Sequence, residues 1–282
     1  MRRLSALPPV LIPSLLEVLY HVDTNVVRDI DALEFMSGMA EITQASARRG
    51  MVSVGYDKSY NNTNINDINT KRGFARAMEL TLRVKRHGSI WMAPVCSTWV
   101  WIARNGSRRS RASAGGDTRI PRIQAGNTMV VRLVLLMLVS WCRGVHLFTE
   151  NPLSTLIHFF SPLRELIESI MPHKVTIFLS SYGSLCPKPI FVWSTTALVQ
   201  QLKLPKKATT ERLAVKKHGS VTGRKDALKS SQAYPAAFGQ AVSGIYQQLQ
   251  QARSLGDLLE EDGTAILAAA LMSGPLAKRR RL

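Results

Sequence analysis

Acidic residues are scarce in this chain. Only 19 Asp and Glu stand against 37 Lys and Arg, a formal net charge of +18 over 282 residues. The imbalance argues against a cationic partner and favours a polyanion, most simply nucleic acid, with an anionic membrane as the alternative. Taken alone, the charge also fits a solvated basic surface. Cysteine is scarce as well. Cys96, Cys142 and Cys186 form an odd set with no Cys-x-x-Cys pair, which excludes a disulfide framework and a cysteine-pair metal site. A reducing, intracellular compartment is expected. His146 and His158 lack paired ligand spacing and read as core histidines, so no metal is expected. Long apolar runs are missing too. The most apolar, LVLLMLVSWC at 133–142, lies between Arg132 and Arg143; it is too short to span a bilayer and reads as a core helix, so no membrane is expected. The opening MRRLSALPPVLIPSLLEVLY is interrupted by three prolines and has no small-residue cleavage site, unlike a signal peptide. No internal repeat is present, and no obligate protein partner is evident.

What the chain does have is an ordinary apolar share, 45%, enough length for one large domain or two small ones, and a regular alternation of elements. DALEF (31–35) reads as a strand, ITQASARRG as a helix closed by Gly50, and MVSVGYD (51–57) as a strand. A helix follows at 71–86, a strand at 88–94, a basic loop to about 126 and a long apolar helix to about 143. Strands at 145–152, 174–181 and 188–195 bracket the helical LIHFFSPLRELIESIM. This alternation predicts an α/β fold, a mostly parallel sheet with helices on both faces. Residues 1–30 form a lead-in, 31–202 the core, and 203–233 a Lys-rich linker. A helix at 234–254 completes the core, and 255–282 is a flexible tail ending in AKRRRL. That ending is a candidate nuclear import signal, although short basic tails are common.

In such sheets ligands sit outside the carboxyl ends of the strands, and Gly38, Asp57, Asp67, Cys96 and Glu150 all fall there. Their order is strand–MSGMAE–helix, strand–Asp57, loop Asp67, strand–APVCS, strand–TENP, YGSLCPKPIFVW, then FGQAV. Over roughly residues 31–245 this resembles the DNA (cytosine-5)-methyltransferase family. The resemblance implies a Rossmann-like methyltransferase fold and S-adenosyl-L-methionine as cofactor. Met36, Ser37 and Gly38 would form its opening turn. Asp57 would accept the ribose hydroxyls, Asp67 would accept a hydrogen bond from the adenine amino group, and Pro94, Gly239 and Gln240 would complete the cofactor site. The resemblance makes Cys96 the nucleophile that adds to C6 of cytosine, with Glu150 holding N3 of the flipped base. The loop at 104–126 carries Arg104, Arg108, Arg109, Arg111, Arg119 and Arg122 against one acid, Asp117; with Lys188 these would hold phosphates, of DNA in preference to RNA, on a Gly- and Ser-rich flexible segment.

The chain also departs from the family's pattern. Ala40 and Glu41 stand where the family has its second and third opening glycines. Cys186, Lys188 and Ile190 replace the Gln and two Arg of a further motif, leaving one positive charge. Gln240 replaces an Asn. Only a short basic strip occupies the place of a DNA-reading domain. Three readings therefore stay open: a cytosine C5-methyltransferase, a binding module that keeps the pocket without catalysis, and a methyltransferase for another substrate with Cys96 incidental. Alone, Cys96 also fits a buried structural thiol, and Asp57 and Asp67 fit turn or cap acids.

Overall fold

The computed structural model describes residues 26–60, 63–207, 214–215, 221–222 and 233–252. The expected lead-in up to residue 25, most of the basic linker and the tail from residue 253 lie outside the described residues. In chain order the elements are β1 (Ile30–Phe35), α1 (Glu41–Arg48), β2 (Ser53–Tyr56), α2 (Lys71–Arg83), β3 (Val84–Met92) and α3 (Arg104–Ser107). They continue with α4 (Pro121–Cys142), β4 (His146–Pro152), α5 (Ser161–Ile170), β5 (His173–Phe178) and β6 (Pro189–Ser194). A final helix, α6, covers 236–252.

Local chemistry sets these boundaries. The Thr70 side chain accepts the Gly73 N–H at 2.9 Å and caps α2. Gly50, at φ +79°, takes the left-handed turn after α1 that a Cβ would disfavour. Proline sits in the first turn of both α4 and α5, where its missing N–H is no loss. The helix expected across LIHFFSPLRELIESIM is consequently split: a 3₁₀ turn at Ile157–Phe159 precedes α5, which restarts at Ser161.

The six main strands form one sheet in the order β2-β1-β3-β4-β6-β5. β1 pairs in parallel with β2 and β3, and β3 with β4. β6 is antiparallel to both β4 and β5. This corrects the expected Rossmann-like fold: the sheet is mixed, and its order is not a Rossmann order. The reason lies between β5 and β6. They are joined by a 3₁₀ turn, Leu179–Tyr182, and a few further residues, too short for the crossover a parallel neighbour requires. β6 therefore runs back between β4 and β5, and Leu153 N–H donates to Pro189 O at 3.0 Å. The start of β6 thus lies beside the carboxyl end of β4.

Helices cover both faces. On one, α2, α4 and α5 bury Ala77, Leu80, Val130, Leu133, Met137, Leu163 and Leu166 against the sheet. α4 is long and apolar enough by composition to cross a membrane, but its apolar side chains fill this core. On the other face, α1 and α6 bury Ile42, Phe238, Val242, Ile245 and Tyr246 against Trp91, Phe148 and Val192.

Candidate active site

β3 and β4 run parallel with Met92 opposite Thr149, so the segments that leave their carboxyl ends stay together. Asn151 Nδ2 donates to Pro94 O at 3.1 Å, joining the two ends. Beyond Pro94 the chain turns, with Trp99 N–H donating to Cys96 O at 2.8 Å. Cys96 as a residue is partly exposed, while its sulfur is desolvated. Burial pushes the thiol pKa up; the nearby Lys188 ammonium opposes this and the Glu150 carboxyl adds to it. Glu150 is buried, 6% exposed. Burial raises its pKa, against the Lys188 charge and a hydrogen bond donated by the Tyr234 hydroxyl. Its Oε2 has no hydrogen-bond partner among the described residues. Thiol, carboxyl and ammonium therefore act on one another from the segment after β3, from β4 and from the residue ahead of β6, and the antiparallel run of β6 brings its start beside the end of β4.

Val95 and Ser97, which flank Cys96, line a cavity of about 490 Å³. Met36, Asp57, Asp67, Ile68, Ile102, Arg122 and Met129 line it too. Its size is that of a small-molecule site, roughly 300–1,000 Å³. The segment after β3 thus presents one residue to the Glu150 cluster and both neighbours to the cavity. Asp57 Oδ2 accepts the Gly38 N–H at 2.9 Å, and Oδ1 accepts the Ser59 N–H and hydroxyl at 2.9 and 2.7 Å. Three donors leave a carboxylate one of its roughly four acceptor positions. Asp67 Oδ1 accepts the Asn69 N–H at 2.9 Å, so this acid caps its own turn while facing the cavity. The Ser37 and Tyr60 hydroxyls are 2.6 Å apart. The turn from β1 to α1 places Met36, Gly38 and Ala40 at φ +55°, +52° and +56°. Two residues with a Cβ held in the left-handed region mark a strained turn.

The remaining candidates divide. Gly239 and Gln240 are not at the cavity. A Cβ on Gly239 would lie 2.5 Å from Glu41 O, so this glycine permits close contact between α6 and α1. Gln240 O accepts from Arg49 Nη2 at 3.4 Å on the exposed side of the same contact. Pro94 and Ser37 are buried beside the cavity without lining it. Arg109 is not a phosphate ligand. It is 2% exposed, lies over the Trp99 ring at 3.3 Å, and donates to Ala114 O, Ile123 O and Asn127 Oδ1. Burial lowers its pKa to about 10. The segment expected to be flexible is folded around this guanidinium, with Asp117 N–H donating to Ser107 O at 3.0 Å. Arg104, Arg108, Arg111, Arg119 and Arg122 are exposed. Arg119 pairs with Asp117 at 2.8 Å, Arg104 lies over Trp101 at 4.5 Å and Arg111 over Phe159 at 5.6 Å.

Two residues escaped sequence reasoning, one of them at the site. Tyr234, ahead of α6, meets Glu150 and accepts the Trp91 Nε1–H at 3.2 Å from 143 positions away; no local pattern signals such a contact. Glu34 on β1 is a buried carboxyl whose pKa burial raises to about 7. An acid in the middle of an apolar strand was the available signal. Comparison of the chain with protein-family models and with curated proteins finds no match.

Proposed function

We propose that this protein transfers a methyl group from S-adenosylmethionine to C5 of a cytosine in nucleic acid, through a transient bond to Cys96. The observation that carries the reading is the convergence of Cys96, Lys188 and a buried Glu150 whose Oε2 lacks a partner, next to a nucleoside-sized cavity edged by acids. A buried carboxyl oxygen without a donor is costly unless a ligand supplies one. The exocyclic amino group and N3 edge of cytosine offer that complement. S-adenosylmethionine, when bound, would supply a methyl group carried on a sulfonium as the electrophile for C5, with a neutral thioether as the leaving group. Asp57 and Asp67 fit its hydroxyl and amino groups through their remaining acceptor positions. Cys96 Sγ, as thiolate, forms a bond to C6 and shifts the ring electrons to C5. Glu150 stabilises the charge this places on the ring. After methyl transfer the C5 proton leaves to solvent, and the electrons of the C5–H bond re-form the double bond and expel the thiolate.

Lys188 favours the thiolate that burial disfavours, so it supports the nucleophile as well as a phosphate. The exposed arginines of 104–122 would hold the nucleic acid backbone. The test is methyl transfer from labelled cofactor to a cytosine-containing oligonucleotide. Wild type is expected to transfer label; Cys96→Ala is expected to transfer none, and Glu150→Gln to lose about 10²-fold or more. Cofactor binding with no transfer would overturn the reading in favour of a binding module.

A further inference from the structure

We infer that Tyr234 is a positioning residue for Glu150: Trp91 holds its hydroxyl oxygen, and the hydroxyl fixes the Glu150 carboxyl so that Oε2 is left open toward the base. The inference rests on the proposed role of Glu150 in meeting the base. Three observations on different elements support it. Trp91 on β3 is fully buried and donates Nε1–H to Tyr234 Oη at 3.2 Å. With its acceptor position so engaged, the Tyr234 hydroxyl donates its single proton to Glu150 on β4. The Tyr234 ring is fixed by packing, edge-on to Trp91 at 6.2 Å between centroids and 5.0 Å from Phe238.

The chain Trp91–Tyr234–Glu150 is directional. An indole N–H can only donate, so it occupies an acceptor position of the phenol oxygen and leaves the phenol proton for a hydrogen bond to the ionised carboxyl. The remaining oxygen cannot be satisfied by rotation of the carboxyl without breaking that bond. The charged and titratable groups that face Glu150 are Lys188, Cys96 and Tyr234, with Glu34 reaching Tyr234 from β1. Among these only Tyr234 combines a hydrogen bond to the carboxyl with a second anchor in the core. The segment that leads into α6 thereby contributes to the site as well as to the core.

The test is the titration of the Glu150 carboxyl, read by carbon-13 NMR of protein labelled in its glutamate carboxyls, with the Glu150 signal assigned from Glu150→Gln. Tyr234→Phe removes the donor and keeps the ring. It is expected to raise the Glu150 midpoint by about one pH unit, a tenfold change in proton affinity, as loss of a hydrogen bond to a charged group does. Trp91→Phe, which removes the anchor and leaves the phenol, is expected to shift the midpoint in the same direction by less. An unchanged midpoint in Tyr234→Phe, with thermal unfolding within a few degrees of wild type, overturns the inference. Should Tyr234→Phe fail to fold, the Trp91→Phe shift decides: no shift overturns it. The reading of methyl transfer fails separately: a midpoint shift in a protein that transfers no methyl keeps the positioning link and removes the reaction.

Discussion

Cys96, the proposed nucleophile, sits where burial disfavours its thiolate. Burial holds its pKa above the ordinary thiol value, so at neutral pH the neutral thiol dominates and the thiolate must be generated at the site. The sign is definite: reactivity toward a thiol-directed alkylating probe should rise with pH through and beyond about 8.5, the ordinary thiol midpoint. Replacing Lys188 by Met removes the charge that favours the thiolate and should move the profile further to alkaline pH; a profile that moves to acid would show that Lys188 does not face the thiol. Arg109 makes the opposite point about charge. Its guanidinium is buried with no carboxylate partner among the described residues, held by carbonyls and the Trp99 face. Arg109→Ala should cost about 3–5 kcal/mol in denaturant unfolding, since it opens a cavity and orphans several acceptors. Arg119→Ala, exposed and paired only locally, should cost under about 0.5 kcal/mol. Ala40, left-handed at φ +56°, stands where a glycine carries no steric penalty. Ala40→Gly is expected to stabilise by up to about 1 kcal/mol, the relief of strain exceeding the entropy added to the unfolded chain.

At the scale of elements, β1 carries a carboxyl into the core. Glu34 Oε2 accepts the Thr43 N–H at 2.8 Å and hydroxyl at 2.6 Å, while Oε1 has no partner among the described residues. Its folded pKa, about 7, lies above its ordinary value of 4.5. The fold therefore favours the neutral carboxyl, and stability is lost as pH rises from about 4.5 through 7. The loss amounts to about 3 kcal/mol once the group is charged. Glu34→Gln should flatten that part of the stability–pH curve; an unchanged curve would mean that Glu34 does not titrate in the core. α6 is held to α1 by the close approach at Gly239. A methyl group there meets Glu41 O, so Gly239→Ala should destabilise by about 1–3 kcal/mol and displace Tyr234 from Glu150. Element positions were legible in the sequence because hydrophobic period and caps are local signals, as at β4, where both ends are nearly as expected. The antiparallel β6 was not, because direction is decided by the length of a connection and by what the strand packs between. The segment after Cys96 read as flexible from its Gly and Ser content, and one buried arginine orders it. That Cys96 and Glu150 lie near one another was legible from their places at the carboxyl ends of expected strands and from a resemblance in order along the chain. Tyr234 and Glu34 were not, since their roles come from contacts across the sheet.

For the whole molecule, the proposed meeting with a polyanion rests on the surplus of basic residues and on a small-molecule cavity beside the carboxyl ends of the parallel strands. If the five exposed arginines of the 104–122 stretch hold duplex DNA as proposed, log K should fall against log salt with a slope of about −4.5. Arg104→Ala, Arg108→Ala or Arg122→Ala should each reduce the slope by about 1, and a slope unaffected by all three would place the nucleic acid elsewhere. The most direct test of the account is covalent trapping. An oligonucleotide containing 5-fluorocytosine, which cannot lose a proton from C5, is incubated with the protein and cofactor, and the conjugate is mapped by mass spectrometry. The account predicts a denaturation-stable conjugate at Cys96, lost in Cys96→Ala and dependent on the cofactor. A conjugate at Cys142 or Cys186, or none at all from protein shown to hold the cofactor, would contradict it.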